Sequence, residues 1–301
     1  MSYVIALDVG GTKIAGALIQ NNKIIKKIKF STKAKKGKKF VIKRIFSIIS
    51  LLLEGLNKKN ILGTALGMPG PLDSEKGIVF QPPNLPGWKN VPIKRIIEKK
   101  FKLKTRIEND TNCAALAESH FFHCENLICL SLGTGVGSGI IIDGKIYHGQ
   151  GTAGELGHMA IDLNGPKCHC GNHGCLEEFV SARGIARVAK EESFKFSLEP
   201  QKLQYQLIKL QQQAKKGNKK SIALYSEVGK YLGVGLANII NIFNPEMIVI
   251  NGGISKAGNL LLKPAIKEMK KRSFKVSQKG VKIVISKLQE NAGLLGAASL
   301  I

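Results

Sequence analysis

Apolar residues in this chain fall mostly in short runs closed by glycine, with a few longer stripes at helical spacing. Val4–Leu7 reads as a buried strand and Gly10-Gly11-Thr12 as a tight turn. Ile14–Gln20 reads as a second strand, Asn21-Asn22 as a hairpin turn and Ile24–Phe30 as a third strand. Positions 41, 42, 45, 48, 49, 52, 53 and 56 are apolar, which predicts a helix over Val41–Leu56. Leu62–Met68 follows as a strand, Pro92–Phe101 as a helix with proline in its first turn, and Lys104–Ile107 as a strand.

The same opening then recurs. Leu127–Leu132 reads as a strand, Gly133-Thr134-Gly135-Val136-Gly137 as a glycine turn, and Gly139–Ile142 as a strand. Asp143-Gly144 is a strong hairpin turn before a third strand at Lys145–Tyr147. Helices are predicted at about 176–191, 201–216 and 219–243, and over Leu260–Arg272 and Ala292–Leu300; strands at Glu246–Ile250 and Val281–Ile285. The pattern is a domain-scale duplication in an α/β chain, and only about 193–202 is weakly patterned. The 301 residues suffice for two domains of about 150 residues each.

Composition narrows the classes. No apolar run reaches the ~18 residues of a membrane span, and the N-terminus lacks a signal-peptide pattern. The net charge of +25 is lysine-borne and scattered. Readers of base edges depend on arginine forks, and arginine occurs only at 44, 95, 106, 183, 187 and 272. A solvated lysine surface is therefore expected, with no specific nucleic acid and no membrane as partner. Cys113, Cys124 and Cys129 sit in apolar surroundings and read as small core residues. Clustered cysteines without a secretion signal favour metal over disulfide and a cytoplasmic location.

The sharpest motif is Cys168-His169-Cys170-Gly171-Asn172-His173-Gly174-Cys175-Leu176-Glu177, with His158 upstream in Gly154-Glu155-Leu156-Gly157-His158. Three cysteines and a histidine make a closed tetrahedral set for structural Zn²⁺: His158, Cys168, Cys170 and Cys175. His169 and His173 lie inside the segment, and either is placed to replace a thiol. Glu155 and Glu177 are surplus to the metal and would be fixed in space by it.

Asp8-Val9-Gly10-Gly11-Thr12-Lys13 and Gly133–Gly137 are paired glycine hairpins whose amides can cradle phosphate oxygens. Neither is a P-loop or a dinucleotide fingerprint, because each leads into a strand. Asp8 is placed to hold Mg²⁺ directly or through water. Asn251-Gly252-Gly253 is a third close-approach turn, suited to an adenosine. Glu108-Asn109-Asp110 at a strand end is either a site for a general base or an acidic helix cap; spacing alone leaves both open. Asn84 sits in a rigid proline loop with Trp88, which either stacks on a ligand or packs the loop.

Taken together, Asp8-x-Gly-Gly-Thr-Lys13, Gly67-x-Pro-Gly70, Asn84-Leu-Pro-Gly-Trp88, Glu108-Asn-Asp110, Leu132-Gly-Thr-Gly-Val-Gly137, Gly154-Glu-x-Gly-His158 and Cys168-x-Cys-Gly-x-x-Gly-Cys-x-Glu177 resemble the ROK family over nearly the whole chain. The Asn84–Trp88 loop looks like that of bacterial glucokinases in particular. The resemblance implies the duplicated actin/hexokinase-like (ribonuclease H-like) fold, with a nucleotide and sugar cleft between two α/β domains. Residues 1–112 plus about 290–301 would form one domain. Residues 113–289, with the zinc segment 155–178, would form the other.

The resemblance further implies ATP-dependent phosphorylation of a hexose, most simply glucose at O6, with Mg²⁺. Asp110 would be the base. Asn84, Asn109, Glu155, His158 and Glu177 would hold sugar hydroxyls, aided by the Gly70 backbone. His158 would place one ring nitrogen on zinc and the other toward sugar. Gly10, Gly11, Thr12 and Lys13 with Gly133, Thr134, Gly135 and Gly137 would surround the ATP phosphates, with Gly252 and Gly253 by the nucleoside. A homodimer or tetramer is implied. One departure is Ser138, where many members carry glycine. The alternatives are a kinase for another sugar (N-acetylglucosamine, N-acetylmannosamine, mannose, fructose or allose), a polyphosphate-dependent glucokinase, or a sugar sensor without catalysis. A repressor is disfavoured, because only seven residues precede Asp8 and leave no helix-turn-helix there.

Overall fold

A computed structural model describes residues 2–191 and 194–301. Within the weakly patterned stretch, residue 193 lies outside the described residues. The chain forms two compact units. Unit 1 is Met1–His123, Gly139–Ala153 and Glu290–Ile301; unit 2 is Cys124–Ser138 and Gly154–Gln289.

Unit 1 begins with β1 (Tyr3–Val9), β2 (Lys13–Gln20), β3 (Lys23–Ser31), α1 (Lys38–Leu53) and β4 (Ile61–Met68). It continues with β5 (Leu72–Asp73), β6 (Ile78–Val79), α2 (Ile93–Phe101), β7 (Thr105–Asn109) and α3 (Asp110–Phe122). Its sheet has the order β3-β2-β1-β4-β7. The first three strands are antiparallel, and β1, β4 and β7 are parallel.

Alternation along β1 decides what covers each face. Ile5, Leu7 and Val9 join Ile14, Leu18, Ile45, Ile48 and Leu66 in a core of large aliphatics. Ala6, Ala15, Ala17 and Ala65 line the other face with Cys113, Leu294 and Ala297. Small residues there let α3 and the late helix Ala292–Ala298 lie close to the sheet. Asp8 shares the parity of Ala6, and a side chain on Gly293 would come within 3.3 Å of its carboxylate carbon.

The later elements are β8 (Leu127–Leu132), β9 (Val136–Ile142), β10 (Lys145–Ile146), α4 (Glu177–Val180), α5 (Ala182–Glu191), α6 (Pro200–Lys215), α7 (Lys219–Phe243), β11 (Met247–Asn251), α8 (Asn259–Arg272), β12 (Lys282–Ile285) and α9 (Ala292–Ala298). The second sheet runs β10-β9-β8-β11-β12, the same order as the first when strands are matched in sequence. β8, β11 and β12 are parallel. The partition into units runs through β9. It counts 113–123 and 139–153 with unit 1, where the simple division at residue 112 had placed both with the second domain.

Three details differ from the pattern-based reading. The short β5–β6 ladder was not anticipated, since two-residue strands carry no periodicity. The helix expected over 176–191 breaks at Ser181, whose hydroxyl accepts from Gly184 N at 3.1 Å and starts α5. Helix α3 begins at Asp110, but its cap is Asn109: Oδ1 accepts from Thr111 N at 2.9 Å and Asn112 N at 3.3 Å. Among the described residues no helix is long and apolar enough to cross a membrane.

Candidate active site

Unit 1 gathers its candidate residues where β1, β4 and β7 end. The Gly10–Lys13 turn is closed by Gly10 N donating to Lys13 O at 2.9 Å. Thr32 braces it from β3's end, with Oγ1 donating to Gly10 O at 2.6 Å and N donating to Thr12 O at 2.9 Å. A side chain at Gly11 would meet Asn84 O at 2.8 Å and Asn84 Cβ at 2.9 Å. Only glycine lets the Gly10–Lys13 turn touch the Asn84 loop so closely. Trp88, 1 % exposed, packs that loop onto the core and is no stacking platform. Burial pushes the Asp8 carboxyl up from its ordinary range, and nearby Lys13 and Lys27 pull it back down. A carboxylate held so is suited to Mg²⁺, which takes one or two carboxylates and completes its shell with phosphate oxygens and water.

At the end of β7, Glu108 is 3 % exposed. Its Oε1 accepts from Asn109 N at 2.7 Å and Asn112 Nδ2 at 2.9 Å, and its Oε2 lies 2.7 Å from His148 Nε2. The bond to Glu108 raises the His148 pKa against the opposing effect of burial. Asn109 caps α3 and Asp110 is the acidic residue of its first turn, so both readings of Asp110 stand: a charge placed on the helix N-terminus and a candidate base. A side chain on Gly70 would lie 3.1 Å from Asn109 Nδ2.

Unit 2 carries the cysteine segment. One potential donor atom from each of His158, Cys168, Cys170 and Cys175 lies within 4.8 Å of the others. His158 Nδ1 and Cys168 Sγ are 3.7 Å apart, as are the sulfurs of Cys170 and Cys175. Zn–S bonds of about 2.3 Å in a tetrahedron put two sulfurs about 3.8 Å apart, so these separations are tetrahedral edges. Burial pushes the Cys168 thiol up to about 12. A dication that binds thiolates supplies the missing charge. The donor set therefore fits zinc. His169 belongs to a second group with Cys168, Glu177 and Glu178 and is not needed for the first; His173 belongs to neither.

The cysteine segment also holds the second glycine turn. Gly133 N donates to Gly135 O at 2.9 Å, Val136 N donates to Glu177 Oε2 at 2.7 Å, and Ala182 N donates to Gly133 O at 2.8 Å. Glu177 Oε1 lies 3.2 Å from His169 Nδ1. Glu177 thus joins the cysteine segment to the phosphate turn, a link its position after Cys175 did not disclose. Glu155 is flanked by Gly154 and Leu156, both bonded to Ser138 Oγ. In the Asn251 turn, Gly252 N donates to Asn251 Oδ1 at 2.6 Å and Gln211 Nε2 to Gly253 O at 3.1 Å.

The family model for the ROK family matches residues 4–301. The chain belongs to the ROK family. A glucokinase of Thermotoga maritima is 35% identical over 312 residues, covering 99% of this chain and 96% of the relative. A xylose repressor of Caldicellulosiruptor bescii is 38% identical over 253 residues, covering 81% of this chain and 63% of the repressor. A solved ROK family glucokinase from Streptomyces griseus, in complex with glucose and AMPPNP, superposes with a TM-score of 0.82 at 28% identity over 99% of both chains. The likeness to ROK structures establishes the duplicated actin/hexokinase-like fold. Ser138 and His148 are what motif reading undervalued: each acts through a partner remote in sequence, Gly154–Leu156 or Glu108.

Proposed function

We propose that this protein transfers the terminal phosphoryl group of ATP to the 6-hydroxyl of glucose. The broader class, an ATP-dependent sugar kinase, rests on family membership and the glucokinase-named relatives. The observation that carries the finer reading is the contact of Gly11 with Asn84. It joins a phosphate-cradling turn to an amide suited to sugar hydroxyls, within the unit that also carries Asp110.

In this reading Asp110 accepts the proton of the attacking hydroxyl. Asn84, Asn109 Nδ2, the Gly70 backbone, Glu155, Glu177 and His158 Nε2 hold hydroxyls. Gly10, Gly11, Thr12, Lys13, Gly133, Thr134, Gly135 and Gly137 position the phosphates, and Gly252 and Gly253 adjoin the nucleoside. Asp8 holds Mg²⁺, which when bound neutralises phosphate charge. His158, Cys168, Cys170 and Cys175 hold zinc, which when bound fixes the turn bearing Glu155. Polar partners for each hydroxyl select strongly, because a sugar lacking one strands a buried group. We further propose a homodimer or tetramer in the cytoplasm.

The xylose repressor match favours a second sugar in one respect: the same frame serves a protein named for a different carbohydrate. A coupled ADP-release assay across glucose, mannose, fructose, allose, N-acetylglucosamine and N-acetylmannosamine decides. The highest kcat/KM is expected with glucose. A better hexose would replace glucose; no ADP release with any sugar would remove the kinase reading.

A further inference from the structure

We infer that Ser138 is a positioning residue for Glu155, and so a determinant of sugar affinity; this rests on the sugar-kinase reading above. Ser138 is 5 % exposed on β9, immediately after the second glycine turn. Its hydroxyl donates to Gly154 O and accepts from Leu156 N at 3.1 Å. Those are the two peptide groups on either side of Glu155. One hydroxyl therefore fixes the backbone entering and leaving the residue assigned to sugar.

The surroundings show why a clamp is needed there. Glu155 itself has φ −79° and ψ 48°, outside both helix and strand, and its own side chain does not cap the short 3₁₀ turn Leu156–His158 that follows. Gly154 has φ +96°, and a side chain on it would lie 3.2 Å from Ser138 O. A side chain on Gly157 would strike Val136 O. The turn thus lies directly on β9, touching it at Val136 and Ser138. The zinc ligand His158 anchors its far end, and Ser138 anchors its near end. Between these two anchors, the direction of the Glu155 side chain is set by backbone that Ser138 holds.

Glycine at this position would leave both peptide groups to other partners, while His158 and the contact of Gly157 with Val136 would still hold the far end of the turn. Loss of the Ser138 hydroxyl should therefore weaken sugar binding without abolishing turnover. Losing both bonds frees the backbone on either side of Glu155, so the sugar KM is expected to rise about tenfold.

The test compares wild type with Ser138→Ala and Ser138→Gly, on the hexose the wild type turns over best, with zinc content measured for each protein. Glucose KM should rise about tenfold, while kcat and ATP KM stay within about twofold and zinc content is unchanged. In a Glu155→Gln background, Ser138→Ala should change the calorimetric sugar Kd by less than about twofold, because the residue it positions is already altered. An unchanged sugar KM would overturn the inference. So would an equal rise in sugar and ATP KM, which marks a general strand defect, or an undiminished effect in the Glu155→Gln background. A wild type that phosphorylates no sugar would instead remove the kinase reading itself.

Discussion

The two glycine turns occupy matching places in two sheets of the same strand order, yet they are held by different means. The first, Gly10–Lys13, is braced by Thr32, the residue just past β3 of the same hairpin set. Both of these hydrogen bonds are neutral and come from within that hairpin set. The second, Gly133–Val136, is braced by the Glu177 carboxylate and by Ala182 N, from the segment that also carries three cysteines. Duplication supplied two similar frames, and only the second turn leans on the cysteine segment. The first turn should therefore be intrinsically ordered, and the second should respond to whatever happens at the cysteines.

The largest effect should come from neither turn. Asp110→Asn is expected to lower kcat by about 10³-fold while calorimetry still detects sugar binding, as befits loss of a proton acceptor. A variant retaining a tenth of the rate would move the base elsewhere. Next in size is metal removal. Chelation should lower Tm and weaken sugar affinity together, and hydrogen exchange at the Val136 amide should quicken while that at Gly10 stays slow. Equal response of both amides would dissolve the contrast between the turns.

Removing one brace at a time sharpens it further. Thr32→Val deletes one neutral hydrogen bond, worth about 1 kcal/mol, and should raise ATP KM severalfold with sugar KM unchanged. Steady-state kinetics with each substrate varied checks both halves of that statement.

Two smaller effects depend on charge. The His148–Glu108 pair raises the His148 pKa, so its stabilisation is fully present below the ordinary histidine value of about 6.5 and is lost as pH rises through the raised folded value. The Tm difference between wild type and His148→Ala should be widest under acidic conditions and narrow above neutrality. Smallest of all, salt should barely move glucose KM, since the sugar is uncharged despite the protein's +25. A steep salt dependence would point to a polyanionic substrate.

Much of this arrangement is legible in the sequence because it is local. β8 and α7 have the bounds their patterns predict, and β2, β4 and α6 shift by a residue at most. The clustering of His158, Cys168, Cys170 and Cys175 is legible because such donor sets have characteristic residue types and spacing. What stays hidden depends on partners far apart in the chain. Asn109 and Asp110 are adjacent and both suit a helix start, so only the backbone shows which one caps. Ser138 reads as an ordinary strand residue until Gly154 and Leu156 are seen on either side of its hydroxyl. Glu177 reads as a spare carboxylate beside a metal until Val136 N is found on it.

The placement of α9 carries a consequence for biosynthesis. Ala292–Ala298 closes the alanine face of the first sheet, and Gly293 lies against the Asp8 carboxylate. Asp8 is synthesised well before α9, so until α9 has been made and docks, the alanine face of the first sheet lacks one of the two helices that cover it. The surroundings of the Asp8 carboxylate are therefore complete only after that late step.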